Sequence, residues 1–321
     1  MSNVLQTVLE TQGYVVLDGA LATELEARGA DLQDPLWSAR VLLDAPDLVR
    51  QVHADYFRAG ADIAITASYQ ATFAGLAARG LDRAAAARLL QQSVRLAQAA
   101  RAEFWADPTA REGRAFPLIA ASIGPYAAYL ADGSEYRGDY SLSQAELVAF
   151  HGDRLAALVA AQPDLLACET IPCQIEALAL LEVLADQATH TPNMPPAWLS
   201  FACRNDHQLN SGESFAEAVA TVQGAPHIAA IGINCTAPQY IAGLLQIARA
   251  HTDKPLLVYP NRGERWDARA RCWIADPDAP ALADYLAAWR AAGAVGIGGC
   301  CRTGPADIQR IAARLRPSTP A

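Results

Sequence analysis

Two cysteines, Cys300 and Cys301, stand side by side directly after Gly298-Gly299, and a third, Cys235, lies in the run Gly232-Ile233-Asn234-Cys235-Thr236. Thiolates suit zinc, with Zn–S near about 2.3 Å, and three protein ligands leave a fourth position open for a substrate. Neighbouring side chains on a regular strand point to opposite faces, so both members of the pair reach one ion only if the chain turns there. Gly298 and Gly299 before the pair, and Gly304-Pro305 after it, are expected to supply that freedom. A hydrolytic zinc typically uses histidine and carboxylate ligands. None of the six histidines (His53, His151, His190, His207, His227, His251) falls at an expected strand end beside the cysteines. Three anionic sulfurs make the ion a weak acid for water, whereas a substrate thiol taken as fourth ligand is deprotonated yet stays nucleophilic. The pattern therefore points to alkylation of sulfur.

Other uses of the same residues stay open at this point. Most free cysteines are small buried hydrophobes, and Cys168, Cys173 and Cys272 are read that way, as is Cys203 at a strand end. Cys300 and Cys301 could form a redox pair, although a bond between neighbours is strained. A zinc or thiol sensor would need a fourth protein ligand closing the site, and a zinc hydrolase is disfavoured by the softness of the ligands.

Elements must bring these residues together. Short runs, apolar on both faces as parallel strands are when helices cover them, occur at Tyr14–Leu17, Asp62–Thr66, Leu118–Ser122, Leu165–Cys168, Trp198–Ala202, Ala229–Ile233, Leu256–Tyr259 and Val295–Gly298. Amphipathic helical patterns separate them, among them Ala84–Phe104, Gln144–Ala161 and Ala279–Ala292, the last stopped by Gly293. Eight such units predict an α/β fold, a (β/α)₈ barrel forming one domain over residues 1–321. No G-x-G-x-x-G run follows the first strand, which weakens the competing nucleotide-binding open sheet. In a barrel the functional groups sit at the C-terminal strand ends. Those ends read Asp18-Gly19-Ala20, Thr66-Ala67-Ser68, Ser122-Ile123-Gly124, Glu169-Thr170, Cys203, Asn234-Cys235-Thr236, Tyr259-Pro260-Asn261 and Gly298-Gly299-Cys300-Cys301. Gly124–Tyr140 is expected to be a long loop at the same end, a usual place for substrate contacts.

Composition sets outer limits. The chain has 321 residues, 52% of them hydrophobic and 18% charged, as expected of a globular protein with a large core. A net charge of -9 argues against a nucleic-acid partner and tolerates a cationic small molecule. No apolar run approaches the roughly 20 residues of a membrane span, and the polar stretch Met1 to Gly13 has no secretory pattern. Seven cysteines, an odd number unevenly spread, fit a reducing cytoplasm better than a disulfide framework. Nothing in the sequence specifies an oligomeric state.

The motifs resemble those of the homocysteine S-methyltransferases over about Gly13 to Ile311. The resemblance runs through Leu17-Asp18-Gly19-Ala20, His53 with Ala59-Gly60-Ala61-Asp62, Thr66-Ala67-Ser68-Tyr69-Gln70 and Glu169-Thr170-Ile171-Pro172. It continues through Gly232-Ile233-Asn234-Cys235-Thr236, Tyr259-Pro260-Asn261 and Gly298-Gly299-Cys300-Cys301-Arg302-Thr303. It implies the (β/α)₈ fold, Zn²⁺ held by Cys235, Cys300 and Cys301, and homocysteine as methyl acceptor. It also implies that Asp18 and Glu169 hold the homocysteine ammonium; taken alone, Asp18 could be a turn residue and Glu169 a helix-start acid. Thr66 and Ser68 are candidate polar contacts to substrate or caps of the next turn. Asn234 is a candidate for orienting the site or a satisfied structural amide. His53, mid-helix, is read as structural, and Arg302 as a carboxylate ligand or a surface pair.

The likeness is nearest to short bacterial and plant-type enzymes that use S-methylmethionine. S-adenosylmethionine is an alternative donor, and betaine users are more distant. With few residues after the eighth strand, separate folate or cobalamin modules are not expected, and direct transfer from a small donor is the expectation. Tyr259, Trp266 and Tyr129 could stabilise a sulfonium by cation–π contact or simply pack, and Tyr69 lies near the same rim.

Overall fold

The computed structural model describes residues 3–32, 38–263, 265–267, 272–274 and 280–316. Ten strands are β1 Val15–Val16, β2 Ile63–Ile65, β3 Leu118–Ile123, β4 Leu165–Ile171, β5 Ala197–Phe201, β6 Ile228–Asn234, β7 Leu256–Tyr259, β8 Arg265–Asp267, β9 Cys272–Ile274 and β10 Ala294–Ile297. Eight of them form one parallel sheet in the order β1-β10-β7-β6-β5-β4-β3-β2. The ring closes between β1 and β2 through the bridge Leu17↔Ile63 and the bonds Asp18 N–H to Ile63 O (3.0 Å) and Asp62 N–H to Val16 O (2.7 Å). The eight expected strands are these eight, and the architecture is the (β/α)₈ barrel.

Side chains alternate in and out along each strand, as the period of two requires. Val15, Leu17, Ile63, Leu118, Ala120, Leu165, Ala167, Trp198, Ala230, Leu257 and Tyr259 fill the barrel, while Val16, Ile119, Leu166, Leu199, Ile231 and Val258 pack outward beneath the helices. This two-sided burial is why the strands read as continuous apolar runs. The N-terminal stretch is a helix, Val4–Gln12, N-capped by Asn3, and its Leu5 joins the barrel interior with no exposed surface. Val4, Leu5, Val8 and Leu9 are spaced for one helical face. Asp62 lies at this N-terminal end of the barrel, accepting from Val16 N–H at 2.9 Å and paired with Arg316, so its place in the family motif is a structural one.

Some expectations shift. β4 runs three residues further, to Ile171, across an irregularity between Cys168 and Ile171 where Thr170 has φ 62°. The expected helix at Ala279–Ala292 is shorter among the described residues, a 3₁₀ turn at Leu282–Tyr285 followed by a helix at Leu286–Ala291. Ala279 itself lies outside the described residues. Gly293, at φ 102°, ends that helix as expected. The β8–β9 antiparallel hairpin was not expected from the sequence. The long segment after β3 carries a short helix, Tyr126–Leu130, and a 3₁₀ turn, Ser134–Tyr136. No helix among the described residues is long and apolar enough to cross a membrane.

Candidate active site

Cys235 follows β6 and the Cys300–Cys301 pair follows β10, and β7 lies between those strands in the sheet. The end of β7 places both segments: Cys235 N–H donates to Tyr259 O at 3.3 Å and Cys300 N–H to Pro260 O at 2.8 Å. The Sγ atoms of Cys235 and Cys301 are 4.0 Å apart, as are those of Cys300 and Cys301, and all three lie within 4.8 Å of one another. Sulfurs at about 2.3 Å from one tetrahedral ion are separated by about 3.8 Å, so the spacing fits a shared metal. The donor chemistry fits as well. The Cys301 thiol is held well below its usual range by hydrogen bonds from Cys235, Cys300 and the Tyr136 hydroxyl, while Cys235 is pushed up by Cys300 and Cys301. Three thiolates this close repel one another and call for a cation between them. Among the described residues this is the one His/Cys/Asp/Glu cluster with metal-ligand spacing.

The local turns are built differently from the sequence reading. Gly298 and Gly299 do not adopt left-handed backbone; Arg302 does, at φ 70°, and so does Cys235, at φ 47°. The turn is closed by Thr303, whose N–H (3.1 Å) and hydroxyl (2.6 Å) both donate to Cys300 O. The two glycines are required for close approach instead. A Cβ on Gly298 would lie 2.8 Å from Asp18 O, and one on Gly299 would lie 2.4 Å from Thr303 Oγ1.

Beside the sulfurs, the inward face of the strand ends carries Ser122, Glu169, Ser200, Asn234 and Tyr259, all buried. Glu169 Oε1 accepts from Ser122 Oγ at 2.5 Å. Burial pushes its carboxyl up to about 7, against the hydrogen bonds from Ser122 and Tyr259 that lower it. Asp18 Oδ2 accepts from Ile65 N–H at 2.9 Å. Burial, joined by the nearby Glu169, raises the Asp18 carboxyl well above its usual range. The two carboxylates thus share one region in which a cation would be welcome.

Asn234 makes three hydrogen bonds with its amide: Oδ1 accepts from Thr170 N–H (2.8 Å) and Ser200 Oγ (2.7 Å), and Nδ2 donates to Thr170 Oγ1 (2.7 Å). It therefore fixes the left-handed residue that follows Glu169. Thr66 and Ser68 are joined to each other (2.7 Å) and to β3, with Ser122 N–H donating to Thr66 Oγ1 (3.0 Å) and Ser68 Oγ donating to Ser122 O (2.8 Å).

Arg154, from the helix Gln144–Val159, is a rim residue the sequence reading missed. It is fully buried and donates to Gly124 O (2.8 Å), Ser68 O (2.9 Å) and Tyr69 O (2.5 Å), clamping the segments that follow β2 and β3. Among the described residues, three buried acceptors at this end have no hydrogen-bond donor: Gln70 Oε1, Glu135 Oε2 and Asn261 Oδ1.

The remaining candidates fall outside the sulfur cluster or into packing. Tyr259 points into the barrel, edge-on to Trp198, whose Nε1–H donates to its hydroxyl at 2.9 Å. Tyr129 packs with Tyr126 and Phe150. The side chains of Trp266 and Cys272 lie outside the described residues. His53 is buried in the helix Pro46–Ala59 with neither ring nitrogen hydrogen-bonded among the described residues, and burial holds it near 4. Cys168 and Cys203 sit in the outer core, and Cys173 is buried against the Tyr140 hydroxyl at 3.3 Å. Arg302 is half-buried, its N–H donating to Thr23 Oγ1 at 3.1 Å.

Comparison with known proteins gives the context for this geometry. Residues 15–315 match the family model of the homocysteine S-methyltransferases. The homocysteine S-methyltransferase YbgG of Bacillus subtilis is 49% identical over 315 residues, covering 98% of each chain. That of Escherichia coli is 50% identical over 314 residues, covering 98% of this chain and 99% of its own. The crystal structure of the metallated form of the Escherichia coli homocysteine methyltransferase MmuM aligns with a TM-score of 0.85 at 49% identity, over 97% of this chain and 99% of the other. Identity near one half, sustained from end to end, leaves one assignment: the chain belongs to the homocysteine S-methyltransferase family.

Proposed function

We propose that the chain methylates homocysteine from a sulfonium donor, S-methylmethionine before S-adenosylmethionine, with zinc held by Cys235, Cys300 and Cys301. The observation that carries this reading is the convergence of three sulfurs within 4.8 Å from two strand ends of the barrel. When bound there, zinc would supply a deprotonated but still nucleophilic substrate thiol at neutral pH.

The protein's own groups would bind and align. Asp18 and Glu169 take the homocysteine ammonium, which keeps both buried carboxyls ionised and relieves their mutual repulsion. Asn234 holds Thr170 and with it the orientation of the Glu169 segment. Thr66 and Ser68 use both hydroxyl protons inside the protein, so their part is to shape the rim that lies against the substrate. In the transfer the homocysteine sulfur attacks the donor methyl in line. A new S–CH₃ bond forms, the sulfonium C–S bond breaks, and its electron pair leaves with a neutral thioether. No general acid is needed, and alignment of the two sulfurs supplies most of the acceleration. With S-methylmethionine, acceptor and donor both end as methionine.

Metal analysis of the reduced protein together with a methionine-formation assay tests this. One zinc per chain is expected, and Cys235→Ser, Cys300→Ser or Cys301→Ser should each sharply lower occupancy. Cys168→Ser, whose sulfur packs in the outer core, should leave it unchanged. Full zinc retention in all three rim variants would sink the metal assignment.

A further inference from the structure

One half-buried acid on the loop after β3, Glu135, has no part in the chemistry above. The 3₁₀ turn Ser134–Tyr136, between β3 and the helix Gln144–Val159, is held against the segments that follow β4 and β5. Asn210 Nδ2 donates to Glu135 O at 2.7 Å. Gly138, at φ 64°, approaches Pro172 so closely that a Cβ there would lie 2.9 Å from its carbonyl oxygen. Tyr136 is close enough to help lower the Cys301 thiol, and Glu135 is close enough that its charge acts on Tyr69 and Tyr136 and that of Cys301 acts on it. The Glu135 Oε2 atom is buried and accepts from no donor among the described residues. The cation next in sequence, Arg137, is taken up by Asp139 at 3.1 Å and Asp132 at 3.9 Å.

A buried acceptor with no donor is costly unless a ligand brings one. The other two carboxylates of the site each accept a protein hydrogen bond, from Ile65 N–H and from Ser122 Oγ. Glu135 reaches the cluster from the loop, whereas Asp18 and Glu169 reach it from strand ends. A sulfonium centre has no hydrogen to donate, so it cannot complete a carboxylate's bonding, but an ammonium group can. We propose that Glu135 binds the α-ammonium group of an amino-acid sulfonium donor and so selects the donor. The proposal rests on the sulfonium reading above.

The test compares two methyl donors at saturating homocysteine in the zinc-loaded enzyme. One is S-methylmethionine; the other is dimethylsulfonioacetate, which carries a sulfonium and a carboxylate but no ammonium. Glu135→Gln should raise the KM for S-methylmethionine by about ten- to a hundredfold, the loss of one charged hydrogen bond. It should leave zinc content, the KM for homocysteine and kcat/KM for dimethylsulfonioacetate within about twofold of wild type, by the same reasoning. Glu135→Asp, which keeps the charge, should recover part of the lost affinity. An unchanged KM for S-methylmethionine, an equal loss with both donors, a parallel rise in the homocysteine KM, or an Asp variant as impaired as the Gln variant would each overturn the assignment. Wild-type turnover of S-methylmethionine with no effect of Glu135→Gln removes this proposal alone. A wild type that uses no sulfonium donor removes the donor reading and this proposal with it.

Discussion

Glu169→Gln should move substrate affinity and stability in opposite directions. Burial lifts the Glu169 carboxyl to about 7 from an ordinary 4.5, so between those values the folded protein holds a proton that the unfolded chain has released. This group's contribution to stability is therefore full below pH 4.5, declines as pH rises, and is lost above about 7. The gap between about 7 and 4.5 corresponds to roughly 3 kcal/mol of cost once the carboxylate is ionised. Glutamine keeps the shape and can still accept from Ser122 but does not titrate. Without substrate or metal, the variant should match wild type in urea unfolding near pH 5 and exceed it by up to roughly 3 kcal/mol at pH 8. Homocysteine binding, measured by calorimetry on the zinc-loaded proteins at pH 8, should weaken about ten- to a hundredfold because the ammonium loses its charged partner. Zinc content should not change. Unchanged homocysteine affinity, or a variant less stable than wild type at pH 8, would show that the carboxylate is a structural group and refute its role in binding.

S-methylmethionine should give a higher kcat/KM than betaine, because betaine must expel an amine and would need an aromatic cage for its quaternary nitrogen. Tyr259 and Tyr129 are already committed to packing with Trp198 and with Tyr126 and Phe150, and higher specificity for betaine would overturn the donor reading. Arg154→Leu leaves three buried carbonyl oxygens without their donor, at roughly 1–3 kcal/mol each; a loss below about 1 kcal/mol in urea unfolding would contradict the clamp. His53 is a base whose folded value falls from 6.5 to about 4, so its contribution is present above pH 6.5 and is lost as pH drops toward 4. The stability of wild type relative to His53→Leu should fall by roughly 2 kcal/mol between pH 7.5 and pH 5, and a difference that does not vary with pH would exclude the mechanism.

The barrel and its sulfur cluster were legible because each rests on residue type at fixed spacing. Strands buried on both faces spell themselves out as β-branched and aliphatic runs, and three cysteines at two strand ends are rare enough to stand out. The N-terminal helix was overlooked because only Val4, Leu5, Val8 and Leu9 mark it, in an otherwise polar stretch. Arg154 reads as an exposed helix charge when taken alone. Its signal was its company, since Leu147, His151, Leu155 and Leu158 place it on the buried stripe of that helix. An arginine there needs acceptors, and the carbonyls at the β2 and β3 ends supply them.

What the sequence does not carry is the shape of the turns. Thr170, Cys235 and Arg302 are three of the five non-glycine residues with positive φ among the described residues, and no glycine or asparagine announces them. Left-handed backbone at such residues costs on the order of 1–3 kcal/mol each and persists only where the surroundings over-determine it. Here they do. Asn234 grips Thr170 by its N–H and its hydroxyl, the β7 end receives Cys235 N–H, and Thr23 receives Arg302 N–H. Thr170 lies within β4, and the turns at Cys235 and Arg302 follow β6 and β10; these strands deliver Glu169, Cys235 and the Cys300–Cys301 pair. The strain is thus borne by hydrogen bonds from β6, from the end of β7 and from Thr23 in the helix Leu21–Ala27, so the sulfurs and the carboxylate are aimed by the barrel itself rather than by flexible loops.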